Sequence, residues 1–175
     1  MDFRYTPEQE RFRDEIRGFL AANVSDALRL EIATSGHSPG PLGKAFLRLL
    51  GERGWLGVGW PREYGGQGRS MIEQTIFYHE LDLQDIHYGN LTITSLAMVL
   101  MKLASEEQKR QYLRQILAGE LEICLGYTEP GAGSDLASLR TRAVRDGGHF
   151  VVNGQKVWTS GAHDADVLLT FVRTD

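Results

Sequence analysis

The spacing of apolar residues changes once along this 175-residue chain, near Gly119. Before that point apolar residues recur at helical intervals, and after it they alternate with polar residues. One stretch cannot satisfy both patterns, because side chains on a helix and on a strand repeat at different periods. The change therefore predicts an α+β fold with two domains: an amino-terminal helical bundle over residues 1–121 and an incomplete antiparallel β domain over residues 122–175.

Two capping boxes predict helix starts in the first domain. Thr6 is followed three residues later by Gln9, and Ser105 is followed in the same way by Gln108. In such a pair each side chain bonds the other residue's backbone N–H, which satisfies donors that a helix start leaves open. Pro7 strengthens the first signal, because proline suits the first helical position.

Apolar spacing predicts five helices in total. We expect them from Thr6, over Leu42–Arg53, over Ser70–Leu83, over Asn90–Leu103, and from Ser105 to Gly119. The fourth is apolar nearly all round, which predicts burial in the middle of the bundle. Val24–Gly40 is mixed in character and ends in serine, glycine and proline, so we expect a loop in part. Apolar faces are predicted at Phe12, Ile16, Phe19 and Leu20 in the first helix, and at Ile72, Ile76 and Leu81 in the third.

A glycine-rich and aromatic-rich connection, Trp55–Gly68, separates the second and third helices. We predict a structured turn that packs Trp55 and Trp60 against neighbouring helices. The glycines follow no predicted strand and lack the GxGxxG spacing, so a dinucleotide site or a phosphate-binding loop is not expected here.

Strand signals dominate the end of the chain. Leu139–Val144 alternates, Asp146-Gly147-Gly148 predicts a turn, and His149–Val152 returns. Asn153-Gly154 predicts a second hairpin leading into Gln155–Thr159. Val167–Val172 predicts a further strand. These strands are too few to cover both faces of a sheet and protect its edges, so we expect a fragment, or a chain completed by partner material.

Composition and charge exclude several classes of function. The net charge is −4 with acidic and basic residues intermixed, which argues against nucleic acid as a partner. Cys124 is the only cysteine, so no disulfide framework or multi-cysteine metal site forms within the chain. The five histidines are scattered, and we predict no metal ligands among them.

No segment predicts entry into a membrane or secretion. The residues after Met1 contain no long apolar stretch of the kind that a secretory signal needs. The most apolar stretch, Leu91–Leu103, is too short to span a bilayer and contains Lys102. We therefore expect no membrane association and a location in the cytoplasm or in an organelle matrix.

Two segments in the second domain carry candidate binding chemistry. In Leu125–Asp135, Gly131 and Gly133 let the backbone approach a ligand closely, and successive N–H groups can form a nest for anionic oxygens. In Gly154–Ala162, Trp158 beside two hydroxyls can stack on a flat heteroaromatic ring and bond its edge. Taken alone, the first segment is equally well explained as an ordinary turn between strands. The second, taken alone, is equally well explained as a strand with a tryptophan in the core.

Together, and in this order, the two segments resemble the acyl-CoA dehydrogenase family. The specific parts are Thr128–Asp135 and Asn153–Trp158, and the segments Thr6–Gln9, Trp60–Gly66 and Gln108–Leu113 also fit. The resemblance covers essentially the whole chain. It implies a helical domain and a small β domain, with FAD between the β domain and a following helical bundle that this chain lacks.

The resemblance also implies roles for individual residues. Leu125–Ser134 resembles the stretch lining the flavin, with Tyr127 and Thr128 at the ring, and Trp158 resembles the residue covering its dimethylbenzene side. Ser160 stands where a threonine hydroxyl often bonds flavin N5. The expected FAD-binding residues are Leu125, Tyr127, Thr128, Gly133, Ser134, Trp158, Thr159 and Ser160. The expected substrate residues are Ser134, at the pantetheine arm, and Leu91, Ser95, Met98 and Val99, at the acyl group.

The family reaction removes an α-proton from an acyl-CoA with a carboxylate base and passes the β-hydrogen to the flavin as hydride. The resemblance implies that this base lies beyond Asp175, so no catalytic residue is expected in this chain. Glu122 and Glu129 are the nearest carboxylates, and we expect neither to be the base. The implied partners are the acyl-CoA substrate, an electron-accepting flavoprotein, and further subunits in a homo- or hetero-oligomer, as in a dimer of dimers.

Other functions remain compatible with the same fold. The chain could belong to a non-catalytic subunit or binding module that pairs with an active homologue. It could also belong to a related flavin oxidase or monooxygenase. The sequence that follows Asp175 would discriminate between these hypotheses, because a helical bundle that bears a glutamate supports the dehydrogenase.

Overall fold

The computed structural model describes residues 4–35, 39–87 and 91–175. The chain divides after Leu121 into two compact units. The described residues of the first form six α-helices: α1 (Pro7–Asn23), α2 (Asp26–Thr34), α3 (Pro41–Glu52), α4 (Met71–Asp82), α5 (Ala97–Leu103) and α6 (Glu106–Leu117). A π-helical turn, Thr92–Leu96, leads directly into α5. The second unit contains four strands: β1 (Ile123–Gly126), β2 (Arg142–Asp146), β3 (His149–Asn153) and β4 (Val167–Thr170).

Local side-chain caps set the starts of the helices. The boxes at Thr6 and Ser105 are confirmed, and Ser70 forms a third box with Glu73 at the start of α4. Val24–Gly40 was expected to be a loop in part, and Asp26–Thr34 within it forms α2, while residues 36–38 lie outside the described part of the chain. Ser25 accepts the backbone N–H of Leu28 and starts α2.

The core of the helical unit is built around Trp55, which is 2% exposed. Its ring lies 5.0–6.3 Å from those of Phe12, Phe19 and Phe77, so it joins α1 to α4. Trp60 is equally buried, and its indole N–H donates to the carbonyl of Ile93 at 3.2 Å. The predicted packing of both tryptophans is therefore confirmed.

The fourth predicted helix is not a single α-helix, and its Asn90 lies outside the described residues. Residues are buried in pairs four apart along it, at Thr92/Ile93, Leu96/Ala97 and Leu100/Met101. An α-helix repeats at about 3.6 residues, so a wider π turn is what keeps pairs four apart on one face. The expected all-round burial was wrong, because Leu91 and Leu103 are 50% and 76% exposed. In α4, Ile72 is likewise half-exposed, although Ile76 and Leu81 are buried as predicted.

The β unit contains two separate pairs of strands. β2 and β3 form the predicted antiparallel hairpin, with Asp146 opposite His149 across a Gly147-Gly148 turn. β1 was not predicted as a strand, and it pairs with β4 in parallel rather than antiparallel fashion. The helical unit followed by a partial β unit confirms the predicted α+β class.

The second predicted hairpin, at Asn153-Gly154, was wrong. Residues 154–159 form no strand. Gly154 passes so close to Thr141 that a Cβ there would lie 2.6 Å from the Thr141 Cα. The chain then turns inward at Lys156, which binds Glu129, and so leaves the β2–β3 ladder.

Within the described part of the chain, no helix is both long and apolar enough to cross a membrane.

Candidate flavin and acyl-CoA site

A tight turn follows β1 and separates inward-facing from outward-facing residues. The backbone N–H of Glu129 donates to the carbonyl of Ala132 at 2.9 Å, and the reverse bond measures 3.1 Å. Glu129 and Ala132 are buried, whereas Gly131 at the turn and Gly133 after it are exposed. An added Cβ at either glycine would meet only open space, so the backbone here is accessible to a ligand.

A buried ion pair joins the two motif segments. Lys156 Nζ lies 2.9 Å from Glu129 Oε1, and the two side chains are 10% and 7% exposed. The same ammonium donates to the Tyr127 carbonyl at 3.2 Å. The Glu129 carboxylate also accepts the backbone N–H groups of Arg140, at 2.6 Å, and Thr141, at 2.9 Å. The ammonium thus balances the charge of the Glu129 carboxylate, and N–H groups satisfy its oxygens. Without these partners an enclosed position would disfavour a charged carboxylate.

These contacts lower the pKa of Glu129 to about 2. The Thr141 hydroxyl, the Arg140 N–H and the Lys156 ammonium all face the carboxylate and favour its ionised form. Within the described residues, however, Thr141 Oγ1 makes no hydrogen bond of regular geometry. We therefore attribute the lowered pKa chiefly to the two backbone N–H groups and the ammonium. A carboxylate held in this way stays ionised and enclosed at neutral pH, which makes it unsuitable as a general base.

Trp158 lies at the end of the second segment with its indole in solvent. The side chain is 87% exposed, and its backbone has a φ of +59°, a conformation that non-glycine residues rarely adopt. Val157, immediately before it, donates its N–H to the Thr128 carbonyl at 2.9 Å. The structure therefore brings the Thr128 and Trp158 segments together. The strand predicted over Gln155–Thr159 does not form, so Trp158 is not presented from a strand face.

The other expected cofactor residues lie within the same β unit. Ser134 and Ser160 are exposed, and Leu125, Tyr127, Thr128 and Thr159 are half-buried. The Tyr127 ring lies 4.5 Å from that of Phe171, which follows β4. An exposed indole and open backbone at Gly131 and Gly133 fit a ligand with a flat ring and phosphates, the chemistry that FAD offers.

Two domain models match this chain almost end to end. The amino-terminal domain of acyl-CoA dehydrogenase matches residues 6–120, and the middle domain matches residues 124–175. The chain belongs to the acyl-CoA dehydrogenase family.

Relatives within this family cover the whole chain but extend well past it. The acyl-CoA dehydrogenase FadE29 of Mycobacterium tuberculosis is 48% identical over 170 residues, which are 97% of this chain and 43% of that protein. Bovine mitochondrial isovaleryl-CoA dehydrogenase is 32% identical over 175 residues, with 96% and 39% covered. The chain thus spans less than half the length of the curated relatives it matches.

Solved structures agree with this assignment. The ChsE4–ChsE5 complex from Mycobacterium tuberculosis superposes with a TM-score of 0.86 at 46% identity, covering 100% of this chain and 45% of the other. The Tcur3481–Tcur3483 steroid acyl-CoA dehydrogenase gives 0.87 at 43% identity, with 100% and 45% covered.

The expected acyl-contacting residues of this acyl-CoA dehydrogenase chain lie in the helical unit. Leu91, Ser95 and Met98 are exposed and Val99 is half-buried, on the side opposite the buried pairs of the π turn and α5.

Within residues 4–35, 39–87 and 91–175, no group of three metal-ligating side chains lies close enough to hold a metal ion.

Sequence reasoning missed Lys156. Lysine is normally exposed, so a lone lysine between Gln155 and Val157 gave no reason to expect burial. The available signal was its position inside one specific motif, while Glu129 stands inside the other. A glutamate and a lysine that stand in two segments of one site are candidates for an ion pair.

Proposed function

We propose that this chain is the amino-terminal part of an FAD-dependent enzyme that introduces a double bond between the α- and β-carbons of an acyl-CoA thioester. The observation that carries the proposal is the joining of Thr128–Asp135 to Asn153–Trp158 around one buried ion pair, with an exposed indole at its end. In this proposal FAD supplies the hydride acceptor, and the chain supplies binding and orientation.

In this proposal each exposed group of the β unit has a distinct task. Tyr127 and Thr128 meet the flavin ring, and Trp158 covers its apolar edge. The backbone at Gly133 and the Ser134 hydroxyl hold phosphate oxygens, since nests of N–H groups suit anions. Ser134 also contacts the pantetheine arm, and Ser160 offers a hydroxyl to the ring. Glu129 has no catalytic task, because it is enclosed and ionised.

We propose a bulky acyl group as the substrate class. The exposed stripe Leu91, Ser95, Met98 and Val99 would contact it. A solved relative at 43% identity is a steroid acyl-CoA dehydrogenase, which favours a polycyclic acyl group over a short straight chain. The base that removes the α-proton is proposed to lie outside residues 1–175.

A second candidate is a subunit that keeps the fold and pairs with an active homologue. A solved relative at 46% identity is a complex of two named proteins, ChsE4 and ChsE5, which favours a partnered assembly. In either case we propose further subunits, and in the dehydrogenase an electron-accepting flavoprotein.

The test is to purify the natural protein that contains this chain, with any subunit that copurifies, and to record its flavin absorption. Turnover is then measured with straight-chain and steroid-derived acyl-CoA thioesters and an artificial electron acceptor. We expect bound FAD, faster turnover of the bulky thioester, and weaker FAD binding in Ser134→Ala. Ser138→Ala, an exposed serine in the same connection, serves as the control. Absence of flavin from the purified assembly would refute the proposal, and flavin without turnover would favour the subunit candidate.

A further inference from the structure

We propose that Lys156 is a positioning residue for the flavin, because it holds Trp158 in its ligand-facing conformation through bonds to Tyr127 and Glu129. This inference rests on the proposed function, since FAD is the group that Trp158 would cover. Lys156 itself would touch neither the flavin nor the substrate.

No strand ladder sets the distance between the two cofactor segments. Residues 127–129 follow β1, and residues 154–159 follow β3, but neither stretch is itself a strand. Three hydrogen bonds join them instead. Two come from the Lys156 ammonium, to Tyr127 O at 3.2 Å and Glu129 Oε1 at 2.9 Å, and one from the Val157 N–H to Thr128 O at 2.9 Å. Lys156 thus supplies two of the three bonds.

The partner of Lys156 is fixed without its help. Glu129 is held by the backbone N–H groups of Arg140 and Thr141 and by its own turn with Ala132. Residues 154–159 have no comparable framework of their own. Lys156 therefore anchors residues 154–159, which have no regular structure, to Glu129. Glu129 does not depend on Lys156 for its own position.

Trp158 needs such a tie because its conformation is costly and its side chain is not packed. A φ of +59° is a strained conformation for a non-glycine residue, and such strain persists only where neighbouring contacts enforce it. An indole that is 87% exposed supplies little of that enforcement. On the amino-terminal side of Trp158, the contacts of residues 156 and 157 supply that enforcement. Without Lys156 the backbone at Trp158 is free to return to negative φ, which redirects the indole.

The first test needs no cofactor. Hydrogen exchange of the backbone amides of residues 157–160 is measured in the FAD-free protein, for the parent and for Lys156→Met. We expect at least tenfold faster exchange in the variant. Lys109→Met is the matched control, because that lysine also pairs with a glutamate at 2.9 Å but lies in the helical unit. Equal exchange at residues 157–160 in the parent and Lys156→Met would overturn the proposal.

The second test separates positioning from general stability. Lys156→Met leaves Glu129 without its countercharge, so some loss of thermal stability is expected whatever the role of Lys156. The double variant Glu129→Gln/Lys156→Met removes the unpaired charge and should recover part of that stability. If Lys156 positions Trp158, both variants bind FAD at least tenfold more weakly than the parent, because the bond to the Tyr127 carbonyl is missing in both.

Three outcomes decide the matter. FAD affinity that recovers with stability in the double variant would show a purely structural lysine and overturn the inference. FAD affinity that stays low, with fast exchange at residues 157–160, supports it. A parent protein that binds no FAD would refute the proposed function and the flavin part of this inference, while the exchange data would still test the hold on Trp158.

Discussion

Among single residues, Glu129 is expected to make stability depend on pH. Its pKa falls from 4.5 to about 2 in the folded chain, chiefly through the backbone N–H groups of Thr141 and Arg140 and the Lys156 ammonium. The folded state therefore binds a proton less readily than the unfolded state. The resulting stabilisation is fully present above about pH 4.5 and is lost as the pH falls toward 2.

Glu129→Gln should remove this part of the acid sensitivity. We expect the free energy of unfolding of the parent to drop more steeply between pH 4.5 and 3 than that of the variant, which has no carboxylate to protonate. Urea unfolding at pH 7, 4.5 and 3 measures the difference. Glu107→Gln, at an exposed carboxylate in α6, is the control and should follow the parent. Parallel pH profiles for the parent and Glu129→Gln would contradict the assignment.

The backbone of Trp158 allows strain and function to be separated with two substitutions. Trp158→Ala and Trp158→Gly lose the same exposed indole, but only glycine tolerates a φ of +59° without penalty. We expect the glycine variant to be about 1 kcal/mol more stable than the alanine variant, by urea unfolding of the FAD-free protein. Both should bind FAD more weakly than the parent. Equal stabilities would show that this residue relaxes to negative φ once the indole is removed.

Residues of the candidate site could be predicted where they belong to a recognisable motif. Burial and backbone conformation could not be predicted where they depend on tertiary contacts. Thr128, Ser134 and Trp158 stand in two short motifs, so their grouping in one unit followed from the sequence. The burial of Lys156 did not, because it depends on a carboxylate 27 positions earlier. The left-handed backbone at Trp158 was also invisible, since only neighbouring contacts can enforce it.

Among the elements, those defined by local bonds were predicted and those defined by distant partners were not. The capping boxes that start α1 and α6 lie within four residues each, so they could be read directly. β1 pairs with β4 more than 40 positions later, and four apolar residues give no local sign of that partner. The Asn153-Gly154 signal favoured a hairpin, but contact of Gly154 with Thr141 overrides it.

The π turn before α5 offers a test of one buried hydrogen bond. Trp60→Phe keeps an aromatic ring but removes the donor to the Ile93 carbonyl. Loss of one hydrogen bond costs about 0.5–1.5 kcal/mol net, so the amides of residues 94–97 should exchange faster, by up to roughly tenfold. Trp55→Phe is the matched control at another buried tryptophan of the Trp55–Gly68 connection, and it should instead loosen α1 and α4, against which Trp55 packs. Unchanged exchange at residues 94–97 in Trp60→Phe would mean that the π turn does not depend on this bond.

At the scale of the whole molecule, the two units differ in how well they bury their apolar side chains. The helical unit encloses Trp55 among three phenylalanine rings. The β2–β3 hairpin instead exposes apolar side chains on both of its faces. Val144 and Val151, opposite each other on one face, are 53% and 44% exposed, and Phe150 and Val152 on the other are 55% and 53% exposed.

We therefore expect residues 1–175, prepared alone, to self-associate through the hairpin. An exposed apolar strand with a free edge favours pairing with another copy, and a lysine on that strand opposes it. Sedimentation velocity at increasing concentration should show species of at least twice the monomer mass for the parent, and mainly monomer for Val151→Lys. Met71→Lys alters a side chain that is 75% exposed in the helical unit, and it should associate as the parent does. If the parent remains monomeric at every concentration, or if Met71→Lys suppresses association as strongly as Val151→Lys, then the hairpin is not the surface through which copies meet.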